Sequence, residues 1–180
     1  SGIGELVFDV GYGGNFYVIV DPQKNFSGVQ NYTASDIIRM SQQVRKKINE
    51  IYPDHFVHPE NPSIKGATHM LWTGKPLDPT SSGRNAVFYG DKAIDRSPCG
   101  TGTSARMAQL SAKGELSVGE DFIHESFIGS RFVGRIEELG EVGQHRAIVP
   151  SIRGWAKVYG QNTISIDSED DPYALGFQVI

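Results

Sequence analysis

The sequence predicts an α+β fold in which a sheet of short strands curls around one central helix. Most apolar segments are short, strand-like and bounded by Gly, Pro or Asn. Glycine makes up 21 of the 180 residues, a larger share than the usual ~7%, and this indicates many tight turns. The central helix, expected from residue 103 or 104 to 113, carries mainly alanines on its apolar side, as in a helix wrapped closely by other elements. Residues 1–180 are expected to form a single domain.

The first part of the chain predicts a hairpin followed by a long helix. Residues 5–10 alternate apolar and polar side chains, residues 11–14 form a glycine-rich turn, and residues 15–20 read as the return strand. Thr33 is expected to cap an amphipathic helix of about four turns. Pro53 is expected to end it.

The remaining elements are predicted to be strands joined by loops. Residues 67–73 and 85–89 read as strands on either side of a loop or flap at residues 74–84. An exposed hairpin loop is expected at residues 137–144. The strand-like segments after the central helix are residues 122–128, 130–139, 146–149, 154–159 and 163–167.

The stretch that leads into the central helix contains the only cysteine, Cys99. Pro98 keeps the residue before it extended, and Gly100 and Gly102 allow a tight turn with uncovered N–H groups. Thiols at helix N-termini have lowered pKa values, which leaves some thiolate at neutral pH. The N–H groups from Gly100 to Gly102 are candidates to hold a carboxylate. Most lone cysteines are simply buried, but a packing position does not need two glycines beside it.

Composition excludes several partners. A net charge of −4 argues against nucleic acid and anionic membranes, and no apolar run approaches the ~20 residues of a membrane span. The basic residues of the long helix are interpreted as a solvated face. A single cysteine excludes an internal disulfide and favours a reducing, cytoplasmic location. His55 and His58 have a spacing that can bind zinc on a helix, but the prolines around them predict a loop, so no metal is expected.

Residues 95–105, Asp-Arg-Ser-Pro-Cys-Gly-Thr-Gly-Thr-Ser-Ala, closely resemble the second cysteine motif of the proline racemase and hydroxyproline epimerase family. The likeness extends from Gly-Tyr-Gly-Gly-Asn-Phe-Tyr, which starts at residue 11, to Asp-Pro-Tyr-Ala-Leu-Gly-Phe, which starts at residue 171. Members of this family carry two cysteines, one in each pseudo-symmetric half, and the first lies in a Met-Cys-Gly-His motif, which this sequence lacks. The chain therefore resembles the second of two pseudo-symmetric halves. The resemblance implies a diaminopimelate-epimerase-like fold, and little activity without the first half.

The resemblance also implies site residues. Cys99 would be one of two acid/base groups in a cofactor-independent inversion of Cα in 4-hydroxyproline. Gly100 and Thr101 would bind the substrate carboxylate, and Asp95 its ammonium, although a structural turn carboxylate is equally expected at Asp95. The glycine-rich turn at residues 11–14 would lie near the pocket, or be a plain hairpin turn.

Two further residues bear on the choice of substrate. His69 matches a substrate-contacting histidine of hydroxyproline epimerases, although a lone strand histidine is usually structural. Tyr89 lies where proline racemases have a pocket phenylalanine, which favours a hydroxylated substrate.

Several alternatives remain open. Proline racemase is the close one, whereas 3-hydroxyproline dehydratases carry threonine at the position of Cys99 and are disfavoured. A Cys–His hydrolase would need His69 or His124 against the thiol. A module that binds a small amino acid without catalysis is the non-enzyme alternative. The expected partners are a small-molecule substrate and the first half of the enzyme, with homodimerisation left open.

Overall fold

A computed structural model describes residues 3–177 of the chain. It contains two α-helices, α1 (Ala34–Ile51) and α2 (Gly100–Ala112), and a short 3-10 turn at Val29–Asn31. The strands, in chain order, are β1 (Asp9–Tyr12), β2 (Phe16–Val20), β3 (Val57–His58), β4 (Asn61–Lys65), β5 (His69–Gly74), β6 (Gly83–Tyr89), β7 (Ala93–Ile94), β8 (Asp121–Glu125), β9 (Arg131–Val142) and β10 (His145–Arg153).

Within the described residues, eight strands form one mixed sheet. Its order is β1-β2-β5-β6-β8-β9-β10, with β7 added beside β6. The β2–β5 and β6–β8 pairs are parallel, and the other pairs are antiparallel. Helix α2 contacts strands from both ends of this order, β1 and β10. The sheet therefore curls around α2 as a half-barrel, and the expected α+β architecture is confirmed.

The two faces of the sheet bury different cores. The outer face packs on α1, where Trp72 donates its indole N–H to Ser41 Oγ at 2.7 Å. The inner face places Tyr17, Leu71 and Val87 against Ala105 of α2. Because side chains alternate along a strand, β2, β5 and β6 each serve both cores. The strands that carry the site are therefore fixed from both sides.

Helix α1 confirms its predicted start and end. Thr33 Oγ1 accepts from the N–H of Asp36, and the Asp36 carboxylate accepts from the N–H of Thr33, which completes a capping box. The helix ends at Ile51, two residues before Pro53.

Other predicted boundaries were wrong. The first strand begins at Asp9, not at residue 5, and α2 begins at Gly100 rather than residue 103 or 104. Of the predicted loop at residues 137–144, residues 137–142 are instead paired strand, and the turn is limited to residues 143–144. Exposed side chains on both faces hide the period-2 pattern there, so the sequence resembled a loop.

The last two predicted strands are absent from the described chain. Residues 154–167 form no strand, and Val158 and Ile164 are 92% and 83% exposed. A strand needs a neighbour to pair its N–H and C=O groups, and after Arg153 the chain leaves the sheet without meeting one. The apolar pattern that predicted these strands is present, but its partner is not within residues 3–177.

Candidate active site

Cys99 is the N-cap residue of α2 and has an uncommon backbone conformation. Its φ is 66° and its ψ is 121°. Among residues 3–177, it is the one non-glycine residue with a positive φ. Such a conformation costs about 1–3 kcal/mol and persists only where surrounding contacts impose it. The carbonyl of Cys99 accepts from the N–H of Thr103 at 2.8 Å, which starts the helix.

A network of short-range hydrogen bonds imposes this conformation. Asp95 Oδ1 accepts from both the N–H and the hydroxyl of Ser97, each at 3.0 Å. Ser97 Oγ in turn accepts from the N–H of Cys99 at 3.1 Å. Asn85 Nδ2, fully buried in β6, donates to the carbonyl of Pro98 at 2.8 Å. Asp95 thus has the turn role that the sequence left open, and its second oxygen, Oδ2, takes no part in that turn.

The thiol itself is half-buried and has polar neighbours. Cys99 Sγ lies 3.2 Å from Tyr17 Oη, 3.6 Å from Thr101 Oγ1 and 3.4 Å from the N–H of Gly102, which donates to it. Tyr17 Oη and Thr101 Oγ1 are 2.7 Å apart, so the three groups form a closed triangle. Tyr17 was not among the site residues predicted from the sequence. Its only signal was that a tyrosine on the buried face of a strand needs a partner for its hydroxyl.

Two of the predicted site residues, His69 and Tyr89, share a row with Tyr17 across three strands. Tyr17 of β2 is in register with His69 of β5, and their rings are 4.9 Å apart. The β5–β6 register pairs Met70 with Phe88, so the next position pairs His69 with Tyr89. Alternation puts all three on the inner face with the thiol, while Met70 and Phe88 face α1. The sheet therefore brings His69 and Tyr89 to the face that carries Cys99.

The surroundings of His69 favour the neutral form of its imidazole. Burial lowers its pKa below the usual 6.5, the charge of Arg45 lowers it further, and the nearby Asp95 only partly opposes this. Its Nδ1 lies 2.8 Å from Thr68 Oγ1. A neutral imidazole has one donor and one acceptor nitrogen, so Nε2 remains for a ligand.

The glycine-rich turn after β1 lies directly against the start of α2. A Cβ atom on Gly13 would be 2.1 Å from the carbonyl oxygen of Thr101 and 2.7 Å from the backbone nitrogen of Ala105. No side chain fits there. The turn is therefore a packing surface for the first turn of the helix, as well as a hairpin connection.

The first turn of α2 offers N–H groups to a ligand. The N–H groups of Gly100 and Thr101 have no acceptor within the helix, since they precede its first hydrogen bond. A Cβ atom on Gly100 would meet nothing within 4 Å, so the helix start is open there. Donors of this kind favour a carboxylate or a developing negative charge.

His124 does not reach the thiol. It is buried, and its Nδ1 lies 2.9 Å from Thr103 Oγ1 and 3.5 Å from Asn85 Nδ2. Burial, with a smaller effect of Arg106, lowers its pKa to about 3, so it is neutral. No histidine is a hydrogen-bond partner of the Cys99 sulfur among residues 3–177, which disfavours the Cys–His hydrolase.

The histidine pair at residues 55–58 gives no metal site. His58 lies in β3, and its ring packs 4.8 Å from Tyr12. Across the described residues, no group of three or more His, Cys, Asp or Glu side chains is placed to hold a metal ion.

Among residues 3–177, no helix has the length and apolar character needed to cross a membrane.

Comparison with known proteins gives one consistent family. The family model described as proline racemase matches residues 1–178. A 4-hydroxyproline 2-epimerase of Spirosoma linguale is 61% identical over 178 residues, which are 99% of this chain and 52% of that protein. A 4-hydroxyproline 2-epimerase of Paracoccus denitrificans is 59% identical over 179 residues, again 99% of this chain and 53% of that protein. The chain thus spans about half the length of the curated relatives it matches.

Solved structures agree with this fold. A hydroxyproline epimerase from Agrobacterium vitis, with trans-4-hydroxy-L-proline bound, superposes with a TM-score of 0.78 at 31% identity and covers 99% of this chain and 50% of that one. A probable proline racemase from Agrobacterium radiobacter, with bound carbonate, gives 0.73 at 32% identity, covering 96% and 49%. A family match over nearly all of the chain, together with these identities, is sufficient for assignment, and the chain belongs to the proline racemase family.

Proposed function

We propose that this chain forms one half of a cofactor-independent epimerase that inverts Cα of 4-hydroxyproline, with Cys99 as one of its two acid/base groups. The observation that carries this proposal is the position of the thiol. Cys99 Sγ lies at the N-terminus of α2, beside the open N–H groups of Gly100 and Thr101 and on the face that carries His69 and Tyr89. The relatives named 4-hydroxyproline 2-epimerase support the choice of reaction.

The proposed step is a proton transfer in two parts. The Cys99 thiolate takes the Cα proton. The electron pair of the C–H bond forms a double bond from Cα to the carboxylate carbon, and the C=O π pair moves onto oxygen to give an enediolate. The N–H groups of Gly100 and Thr101 hold the carboxylate oxygens, where this negative charge accumulates. An acid on the opposite face then returns a proton to Cα, which inverts it. In the reverse direction the Cys99 thiol is the acid.

Asp95 is proposed to bind the secondary ammonium of the substrate. Its Oδ1 is engaged by Ser97, whereas Oδ2 lies outside that turn. A carboxylate held by a turn is already oriented, so binding loses little side-chain entropy. The turn role and the binding role of Asp95 are therefore compatible.

The opposite acid/base is proposed to come from a segment outside these 180 residues. The chain has a single cysteine, and it spans about half the length of its curated relatives. A cleft of about 530 Å³ between α2 and strands β6 and β8 includes none of the predicted site residues. A site completed by a second segment would enclose the substrate above Cys99.

His69 and Tyr89 are proposed to recognise the 4-hydroxyl group. Both are polar, and His69 keeps Nε2 for a ligand while Thr68 engages Nδ1. Proline would leave that nitrogen without a partner, which costs about 1–3 kcal/mol in a buried site. Proline racemase is the second candidate, favoured by the family description and by the probable proline racemase of similar fold.

The test combines binding and exchange in a protein that contains both halves. Incubation with 4-hydroxyproline in D₂O should give deuterium at Cα together with the inverted epimer, and calorimetry should show binding. The 180-residue chain alone is the control and should give no exchange. Binding by the two-half protein without any Cα deuterium would reject the epimerase in favour of a binding module.

A further inference from the structure

The hydroxyl group of Tyr17 lies where it can act on the thiol. Tyr17 is fully buried, and its Oη contacts both Cys99 Sγ and Thr101 Oγ1. Its ring packs on His69, and a Cβ atom on Gly102 would come within 3.2 Å of its Cε1. The absence of a side chain at Gly102 therefore allows the ring to approach, and the surrounding contacts hold the hydroxyl in place.

Tyr17 stays protonated over the working range of the enzyme. Burial raises the pKa of its phenol, and the hydrogen bond and charge of Cys99 raise it further, against smaller effects of Thr101 and Asn15. The phenol thus always has one proton and two neighbours that can accept it. When Cys99 is a thiol, the phenol can donate to Thr101 Oγ1. When Cys99 is a thiolate, the phenol can donate to sulfur and accept from the Thr101 hydroxyl.

We propose that Tyr17 is a positioning residue that stabilises the Cys99 thiolate by turning its O–H from Thr101 to the sulfur. This inference rests on the proposed function, in which Cys99 alternates between thiol and thiolate. No proton leaves Tyr17 during the cycle, because the hydroxyl only reorients. The sulfur therefore gains its second donor, beside the N–H of Gly102, when it becomes negative.

Of the ionisable groups around this pair, His69 contacts the Tyr17 ring, and Asp95 and Arg45 lie near His69. His69 comes from β5, Asp95 from the loop before α2, and Arg45 of α1 reaches the same end of β5 through the carbonyl of Thr68 at 3.0 Å. Within the described chain, the groups that hydrogen-bond to Cys99 Sγ are those of Tyr17, Thr101 and Gly102, and none of these three ionises below pH 9. A change confined to the Tyr17 hydroxyl should therefore be visible in the titration of the thiol.

The test measures iodoacetamide alkylation of this chain against pH, with Cys99 as the single reactive thiol. Tyr17→Phe removes only the hydroxyl, and we expect the pH midpoint of alkylation to rise by about one unit, a tenfold loss of thiolate below the midpoint. Tyr32→Phe is the matched control, because Tyr32 stacks on Phe26 and has no contact with the thiol. It should leave the midpoint unchanged. Thermal unfolding and circular dichroism check that each variant is folded.

A second variant covers a failure of Tyr17→Phe to fold. Incorporating 3-fluorotyrosine at position 17 keeps the hydroxyl and makes it a stronger donor, so the midpoint should fall. An unchanged midpoint in a folded Tyr17→Phe chain or in the fluorinated chain would overturn the inference. The Tyr17 hydroxyl would then hydrogen-bond with Thr101 without stabilising the thiolate.

The same experiment separates this inference from the proposed function. A shifted midpoint in a protein that gives no Cα exchange would keep the role of Tyr17 and reject the epimerase. In the active enzyme, the same shift should appear in the plot of kcat/KM against pH, on the limb where Cys99 becomes a thiolate. If the enzyme is active but Tyr17→Phe leaves the alkylation midpoint unchanged, the role of Tyr17 is rejected and the proposed function is kept.

Discussion

Replacing His69 by leucine tests how the site chooses its substrate. Leucine keeps an apolar side chain against the Tyr17 ring but removes both ring nitrogens. Nε2 is proposed to bind the 4-hydroxyl. In a site closed by the second half, proline would leave this nitrogen unpaired at a cost of about 1–3 kcal/mol. This corresponds to about one to two decades in rate. His69→Leu should therefore reduce the ratio of kcat/KM for 4-hydroxyproline to that for proline by about 10- to 100-fold.

The assay is steady-state inversion of both substrates, followed by optical rotation or chiral chromatography. His145→Leu, at an exposed position of β10, is the matched control and should leave the ratio unchanged. Because the pKa of His69 is already below 6.5, the wild-type ratio should be constant above pH 7 and change only as pH falls through that lower value. Equal losses on both substrates would mean that His69 is structural and would make proline racemase the better proposal.

Two further predictions concern the scaffold of the site. Gly13→Ala places a Cβ atom 2.1 Å from the carbonyl oxygen of Thr101, so the turn must move away from α2. Chemical denaturation should show a loss of about 1–3 kcal/mol in the free energy of unfolding. For Asp21, burial opposes ionisation, but the hydrogen bond from Thr73 and the charge of Arg106 outweigh it and lower its pKa. The ionised Asp21 carboxylate therefore contributes its full stability above the pKa of the unfolded state, about 3.9. This contribution is lost as pH falls through the lower pKa of the folded state. Asp21→Asn should cost about 1 kcal/mol or less at pH 7, because solvent screens the partly exposed side chain, and should flatten the acid limb of the stability curve.

Both scaffold predictions have controls in the same chain. Gly140→Ala, where a Cβ atom meets nothing within 4 Å, should leave stability nearly unchanged. Asp170→Asn, at an exposed position, should not alter the acid limb. Equal effects of Gly13→Ala and Gly140→Ala would contradict the close packing of the turn on α2. An unchanged acid limb in Asp21→Asn would contradict the reasoning about its carboxylate.

The elements that the sequence predicted well are those fixed by local interactions. Helix α1 begins at its Thr33 cap and ends just before Pro53, and both signals lie within the helix or next to it. The start of α2 was predicted too late because Gly100 and Gly102 are poor helix formers. Packing decides this boundary, since Gly102 lies tightly against Tyr17 and Val87.

The site was predictable from its motif and, for His69 and Tyr89, from the family resemblance. Cys99 and Asp95 stand in one stretch of sequence, so their proximity follows from the motif. Tyr17 is 82 residues from Cys99 in sequence, and its contact depends on how β2 pairs with β5 and how α2 crosses the sheet. The strands predicted after Arg153 failed for a related reason, because a strand exists only where a neighbour pairs with it.

Solvent exchange at Cα in a Cys99→Ser variant tests the central claim most directly. Serine is nearly isosteric with cysteine but titrates far too high to take the Cα proton. In the protein with both halves, Cys99→Ser should bind 4-hydroxyproline and fold normally. It should lose deuterium incorporation and inversion by about 10²–10⁴-fold or more. Exchange near the wild-type rate would remove Cys99 from the mechanism.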